Sequence, residues 1–235
     1  MITDIAVLAG GLATRLYPLT RKIPKAMIDI NGKPFIHHQL ELLKKNGIRN
    51  VVICIGFLGE MVRDYVGDGK MFGLNVRYSS DGDKLLGTGG AIKKALNGLP
   101  EVFFVMYGDS YLLIDFSSVS ECFVKQNKKA LMTVLKNNNN WGKSNVIFDN
   151  GYVTNYNKKI MNPEMKYIDY GLGIIRNICF EQIKENETAD LADIYSMLAS
   201  ENELIGFEVL ERFYEIGSFK GIKETKEFLL KHNKN

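Results

Sequence analysis

Short apolar runs at residues 5–8, 51–55, 74–78, 102–106 and 131–135 recur through the first half of the chain, and helical spacing fills most of the intervals between them. Unbroken apolar runs of this length are what strands covered on both faces look like. Strands separated by helices build a parallel sheet with helices on either side. Pro34 fits the first position of one such helix, Ile36, Leu40 and Leu43 keep helical spacing along it, and Gly47 fits its stop. Residues 58–66, 91–96 and 118–126 read as further helices.

The rhythm changes after residue 135. Asn137 to Asn140 form an asparagine run that reads as a loop, and residues 146–148, 152–156 and 171–175 read as a mixed or antiparallel continuation. Helix returns at 191–198, a strand follows around 205–210, and a last helix covers about 221–231, with lysines in its final turn where they suit the dipole. The expected fold class is α/β: a Rossmann-like three-layer αβα arrangement with a mostly parallel central sheet and a small mixed β extension. No repeat or linker divides the chain, so residues 1–235 are expected to form one domain.

Composition narrows the function. The 46% hydrophobic content supports a real core, and a net charge of +3 with charges of mixed sign gives no field for nucleic acid. No apolar run approaches the roughly 20 residues needed to span a bilayer, and the N-terminus has no leader pattern, so a soluble, cytoplasmic protein without a membrane partner is expected. Cys54, Cys122 and Cys179 are scattered without CxxC spacing and read as buried free thiols. With His37, His38 and His232 the only histidines, histidine-based nucleophilic catalysis has little to work with.

The loop after the first strand carries the chemistry: Leu8-Ala9-Gly10-Gly11-Leu12-Ala13-Thr14-Arg15-Leu16, closely followed by Pro24-Lys25. A glycine pair at a strand end permits a tight turn at positive φ with N–H groups pointing inward, a shape that can surround a phosphate. In open α/β sheets ligands bind beyond the carboxyl ends of strands, where Arg15 and Lys25 can follow phosphate oxygens. The loop contains neither GxxxxGK[ST] nor GxGxxG, so the common nucleotide loops are disfavoured.

The assembled pattern resembles the sugar-1-phosphate nucleotidyltransferases. Gly10-Gly11-Leu12-Ala13-Thr14-Arg15-Leu16, Pro18-Leu19-Thr20 and Pro24-Lys25 are similar to that family's N-terminal signature. Leu86-Gly87-Thr88-Gly89-Gly90-Ala91 resembles its base-binding segment, Tyr107-Gly108-Asp109-Ser110 its metal-binding Gly-Asp element, Ile168-Asp169-Tyr170-Gly171-Leu172-Gly173 its sugar-contacting strand, and Tyr214-Glu215-Ile216-Gly217-Ser218 the element supplying a second metal ligand. The motifs occur in the family's order and span nearly the whole chain. The resemblance implies a nucleotide-binding half at 1–135 and a sugar-binding half with the C-terminal helix at 136–235.

The resemblance also implies roles. Leu8, Ala9, Gly10, Gly11, Thr14, Gly87, Thr88 and Gly89 would bind the nucleotide, with Arg15 on the departing pyrophosphate and Lys25 near the attacked phosphate. Asp109 would hold Mg²⁺; an aspartate at a strand end is by itself more often a turn former, but beside a phosphate loop metal binding is the better reading. Glu215 stands where the family usually has aspartate, so it is either a second ligand or a strand-end glutamate paired with a lysine. Lys158 would grip the sugar phosphate, with Lys159 as its alternate, and Asp169 and Gly171 would contact the sugar. Trp141 either closes over the sugar or anchors the surface.

The expected cofactor is Mg²⁺, the expected partners are an NTP and a sugar 1-phosphate, and a homodimer is compatible with this reading. Leu-Gly-Thr-Gly-Gly with Tyr-Glu-Ile-Gly-Ser is most similar to small heptose-1-phosphate guanylyltransferases, with hexose-1-phosphate guanylyl-, uridylyl- and cytidylyltransferases close behind. GTP with D-glycero-D-manno-heptose 1-phosphate or a hexose 1-phosphate is therefore expected. Two alternatives stand beside it: a UTP- or CTP-dependent enzyme, including the phosphocholine type, and a catalytically silent nucleotide-binding protein, suggested by Glu215 and by Ala26 where relatives often carry proline.

Overall fold

The computed structural model describes residues 1–160 and 162–232. In chain order it contains β1 (Asp4–Leu8), β2 (Asp29–Ile30), β3 (Lys33–Pro34), α1 (Phe35–Lys45), β4 (Asn50–Ile55), α2 (Gly59–Val66), β5 (Asn75–Ser80), α3 (Gly87–Ala95), β6 (Val102–Tyr107), β7 (Ser110–Tyr111), α4 (Phe116–Gln126) and β8 (Ala130–Lys136). There follow β9 (Val146–Asp149), β10 (Tyr152–Tyr156), β11 (Tyr167–Arg176), α5 (Leu191–Ser200), β12 (Leu204–Val209), β13 (Tyr214–Glu215) and α6 (Phe219–His232). One sheet runs in the order β5-β4-β1-β6-β11-β8-β12-β10-β9. Its strands point one way except β11 and β10, which oppose their neighbours.

Strand alternation builds the three layers. Ile5, Val7, Ile53 and Phe104 face α1, α2 and α4, while Ala6, Phe103 and Val105 face the other side, where α3 and α5 contribute Ile92, Leu191 and Leu198. Burial on both faces explains why these strands read as continuous apolar runs. A smaller cluster of Leu16, Ile28, Ile30, Phe35, Ile216 and Leu229 ties the opening loop to α1 and α6. Pro34 stands one position before the first helical residue rather than within the helix, because its extended ψ of 147° cannot begin an α-turn.

The parallel register sets the site. Leu8 lies opposite both Cys54 and Tyr107, and Ile55 opposite Ser80, so β1, β4, β5 and β6 all end at one edge of the sheet. β11 inserts between β6 and β8, so strands from both halves of the chain share the sheet. Because β11 runs antiparallel to β6, with Leu172 opposite Met106, Gly171 falls level with Tyr107 at the end of β6 and Asp169 extends past it toward that same edge. No helix among the described residues is long and apolar enough to cross a membrane.

Candidate active site

A cleft of about 230 Å³ opens at the carboxyl edge, lined by Leu8, Ala9, Gly10, Gly11, Lys25, Gly87, Thr88 and Asp109 among the residues singled out from the sequence. The glycine pair works differently from the sequence expectation. Neither Gly10 nor Gly11 adopts positive φ; the left-handed residue of the loop is Ala13, at 50°. A Cβ on Gly10 would stand 3.0 Å from the Gly56 nitrogen, so this glycine lets the loops after β1 and β4 meet, whereas Gly11 faces open space. Thr14 and Arg15 are exposed in a short 3-10 turn and do not line the cleft.

The glycines at 87–90 open a helix, and their backbone packs closely against residues 187–191. A Cβ on Gly87 would meet the Ala189 carbonyl oxygen at 2.5 Å, and Gly89 would meet Asp190 and Leu191 at 3.1–3.2 Å. Gly87 and Thr88 still border the cleft, while Gly89 is packed away from it. The Thr88 hydroxyl donates to Asp190 Oδ1 at 2.7 Å and accepts from Leu191 N–H at 2.8 Å, which joins the start of α3 to the N-cap of α5.

Asp109 follows β6 in a turn that leads directly into β7. Its Oδ2 accepts from Lys25 Nζ at 2.6 Å. The ribbon of β7 with β13 sets Glu215 opposite Ser110, which brings a residue more than a hundred positions distant beside Asp109. A Cβ on Gly217 would be 2.9 Å from Glu215 Oε2 and 3.2 Å from Asp109 Oδ2, so the two carboxylates flank one glycine. Glu215 pairs with no lysine among the described residues; it accepts from Gly217 N–H and, at 2.5 Å, from the Ser218 hydroxyl at the start of α6. No cluster of three or more His, Cys, Asp or Glu side chains forms a closed metal cage among the described residues. Two carboxylates on either side of one glycine are a donor set that suits Mg²⁺, which usually keeps waters and substrate oxygens as its other ligands.

Behind this lies a hydroxyl network. Asp169 Oδ2 accepts from Tyr107 at 3.0 Å and from Tyr156 at 3.1 Å, and its Oδ1 accepts from Gly171 N–H at 3.0 Å. Gly171 itself backs onto Ser110, with φ 101° and room for no side chain. Lys158 Nζ lies 5.2 Å from the centre of the Tyr107 ring, 3.4 Å from its hydroxyl and 3.9 Å from Asp190, whereas Lys159 is exposed and reaches toward Asp193. Of the two lysines, it is Lys158 that stands beside the site. Trp141 is partly exposed, with the Arg212 guanidinium 5.5 Å from its ring.

Burial pushes the Asp169 carboxyl above its ordinary range, opposed by Lys158, the Gly171 N–H and the two tyrosine hydroxyls. Because the folded pKa exceeds the unfolded one, the native state keeps this proton in the interval between them, and stability falls as pH rises through that interval. Asp169→Asn is therefore expected to flatten this part of the stability profile, measured by thermal melts from pH 3 to 8 relative to the parent chain. A variant whose melting temperature keeps the parent's fall with pH would contradict the assignment.

Ala26, Cys54, Asp81, Leu85, Ala91 and Tyr107 complete the cleft, and of these sequence reasoning gave no site role to Asp81, Leu85 and Cys54. Asp81 could have been found by the rule that located Asp109, since it too follows a strand end on the carboxyl edge. Asp81 is buried, its Oδ2 accepts from Leu86 N–H at 3.2 Å, and burial raises its pKa against that bond and Lys94. Burial pushes the Cys54 thiol up to about 12, so it serves as apolar wall rather than nucleophile.

A family model described as "Nucleotidyl transferase" matches residues 5–231. The chain is 36% identical over 135 residues to the D-glycero-alpha-D-manno-heptose 1-phosphate guanylyltransferase of Campylobacter jejuni, covering 57% of this chain and 58% of that protein. It is 29% identical over 227 residues to the N-acetylmuramate alpha-1-phosphate uridylyltransferase of Neisseria meningitidis, covering 94% and 95% of the two chains. Among solved structures, HddC from Yersinia pseudotuberculosis complexed with GMP-PN superposes with a TM-score of 0.82 at 23% identity, covering 97% of this chain and all of that one, which shows a shared fold.

Proposed function

Because the chain belongs to the nucleotidyl transferase family, we propose that it joins an NTP to a sugar 1-phosphate, giving an NDP-sugar and pyrophosphate. The observation that carries this reading is the meeting of Lys25 and Asp109 beside the open backbone of Gly11 in the cleft, with Glu215 across Gly217 from Asp109. An oxygen of the sugar phosphate attacks the α-phosphorus as the bond from that phosphorus to the pyrophosphate oxygen breaks. A phosphate monoester is already ionised at neutral pH, so no general base is required. The protein's contribution is alignment and charge neutralisation.

Asp109 and Glu215 would hold Mg²⁺, which when bound offsets charge on the phosphates. Lys25 would turn from Asp109 to the attacked phosphate, and Arg15, extended from its exposed turn, would reach the pyrophosphate side. Lys158 would receive the sugar phosphate. The Tyr107 and Tyr156 rings near it are already faced by its own ammonium, which supports a sugar phosphate over a quaternary ammonium ligand.

GTP is the favoured nucleotide. Among the described residues two carboxylates line the cleft; Asp109 is paired with Lys25, and Asp81 has no lysine within ion-pair distance. Guanine offers two adjacent donors, N1–H and N2–H, to a carboxylate, whereas uracil offers one N–H between two carbonyls, and adenine and cytosine set an acceptor beside their amino group. Similarity to a heptose-1-phosphate guanylyltransferase agrees with this and points to heptose 1-phosphate as the acceptor. UTP is the competing reading, favoured by the uridylyltransferase similarity along 94% of the chain.

The deciding experiment is pyrophosphate release across four NTPs and a panel of heptose, mannose, glucose and N-acetylmuramate 1-phosphates. Asp81→Asn is expected to lower kcat/KM for GTP roughly 10- to 100-fold, the scale of one lost charge-assisted bond, and to leave UTP use little changed. Equal loss with both nucleotides would remove Asp81 from base selection.

A further inference from the structure

Among the described residues, one buried side-chain polar atom has no hydrogen-bond partner: Oε1 of Gln39. Gln39 lies in α1 with no solvent exposure, on the face that buries Phe35, Ile36, Leu40 and Leu43. A primary amide in such surroundings is costly unless its bonds satisfy something else. Its Nε2 donates to the Tyr107 carbonyl at 3.1 Å and to the Ser110 carbonyl at 2.8 Å. Those two carbonyls bracket Gly108-Asp109, the turn between β6 and β7. The orientation of the amide follows, since only Nε2 can donate to two carbonyls, and Oε1 is thereby left unpaired.

The other contacts of this turn come from different sides. The Gly108 N–H donates to the Leu8 carbonyl at 3.0 Å, and the Asp109 carbonyl accepts from Ile216 N–H at 2.9 Å. Gly108 has no slack, because a Cβ there would meet the Leu8 oxygen at 2.5 Å. Gln39 is the side chain that holds both ends of the turn together. An apolar residue of equal length would fill the same volume without stranding an oxygen, yet it would leave two inward carbonyls unpaired.

We propose that Gln39 is a positioning residue that fixes the Tyr107–Ser110 turn so that the Asp109 carboxylate points at Lys25 and Gly217. Its consequence for catalysis rests on the transferase reading above; its structural consequence does not. A carboxylate on an unbraced turn would bind a divalent cation less tightly and align the phosphates less well, and partners of ligands commonly account for 10- to 100-fold in metal affinity or activity.

The test compares the parent chain with Gln39→Met, Gln39→Asn and Asp109→Asn in three measurements: Mn²⁺ affinity by electron paramagnetic resonance, steady-state kinetics, and hydrogen–deuterium exchange of the 107–111 amides. Gln39→Met is expected to weaken Mn²⁺ binding and lower kcat by about 10- to 100-fold, with KM for both substrates nearly unchanged and faster exchange at 108–111. Gln39→Asn, too short to span both carbonyls, is expected to fall between and serves if the methionine variant does not fold. Parent-like Mn²⁺ affinity and kcat in a folded Gln39 variant would overturn the proposal, whatever its melting temperature. If Asp109→Asn leaves Mn²⁺ binding of the parent unchanged, the metal assignment fails instead, and unaltered exchange at 108–111 in the Gln39 variants would then overturn the bracing role independently.

Discussion

Pyrophosphate release by Asp109→Ala is expected to fall at least ~10³-fold, with circular dichroism and melting temperature close to those of the parent chain. The size follows from what the carboxylate would do: without it, Mg²⁺ would lose one of the two carboxylates proposed to hold it, and the negative charge shared by the attacking and departing oxygens would be poorly compensated. The small stability effect follows from exposure. Asp109 and Lys25 are each about a quarter exposed along their side chains, and ion pairs with this much solvent contact contribute about 0–1 kcal/mol. Full activity of Asp109→Ala with saturating Mg²⁺ would refute the metal assignment, and loss of the folded state would show that the turn after β6 serves the core instead.

The second large effect belongs to Lys25. Lys25→Ala is expected to lower kcat roughly 10²- to 10³-fold, the usual cost of removing one charged stabiliser of a phosphoryl transition state. The same variant should bind Mn²⁺ more tightly than the parent, because the lysine ammonium sits 2.6 Å from Asp109 Oδ2 and competes with a cation for that oxygen. These opposite signs, weaker turnover with stronger metal binding, separate Lys25 from a residue that merely supports the fold, whose loss would weaken both. Kinetics and an Mn²⁺ titration on one preparation settle the matter, and weakened metal binding would count against a phosphate-facing role for Lys25.

Much of this was legible in the chain. Strands buried on both faces announce themselves as unbroken apolar runs, and the rule that ligands gather at carboxyl ends needs only their order and direction. That is why Gly11, Lys25, Thr88 and Asp109 could be placed at one cleft from the sequence. The expected helix at 58–66 matches α2, whereas α3 begins at Gly87 rather than at residue 91, since propensity penalises glycine at a helix start while packing against a neighbouring segment requires it there.

What the linear sequence determined by itself was the fold class, the place of the glycine-rich loop at the carboxyl edge and the identity of the charged residues, because each depends on local pattern and on the fixed geometry of βα units. Tertiary structure alone decided the partners. Glu215 reaches Asp109 only through the β7–β13 ribbon, Asp169 reaches Tyr107 only because β11 runs against β6, and the glycines at 87–90 let α3 pack closely on residues 187–191. Asp81 and Gln39 illustrate the same divide. One looks like a turn residue and the other like a polar lapse in a helix, and each acquires meaning only when burial and a specific long-range neighbour make its polar atoms matter.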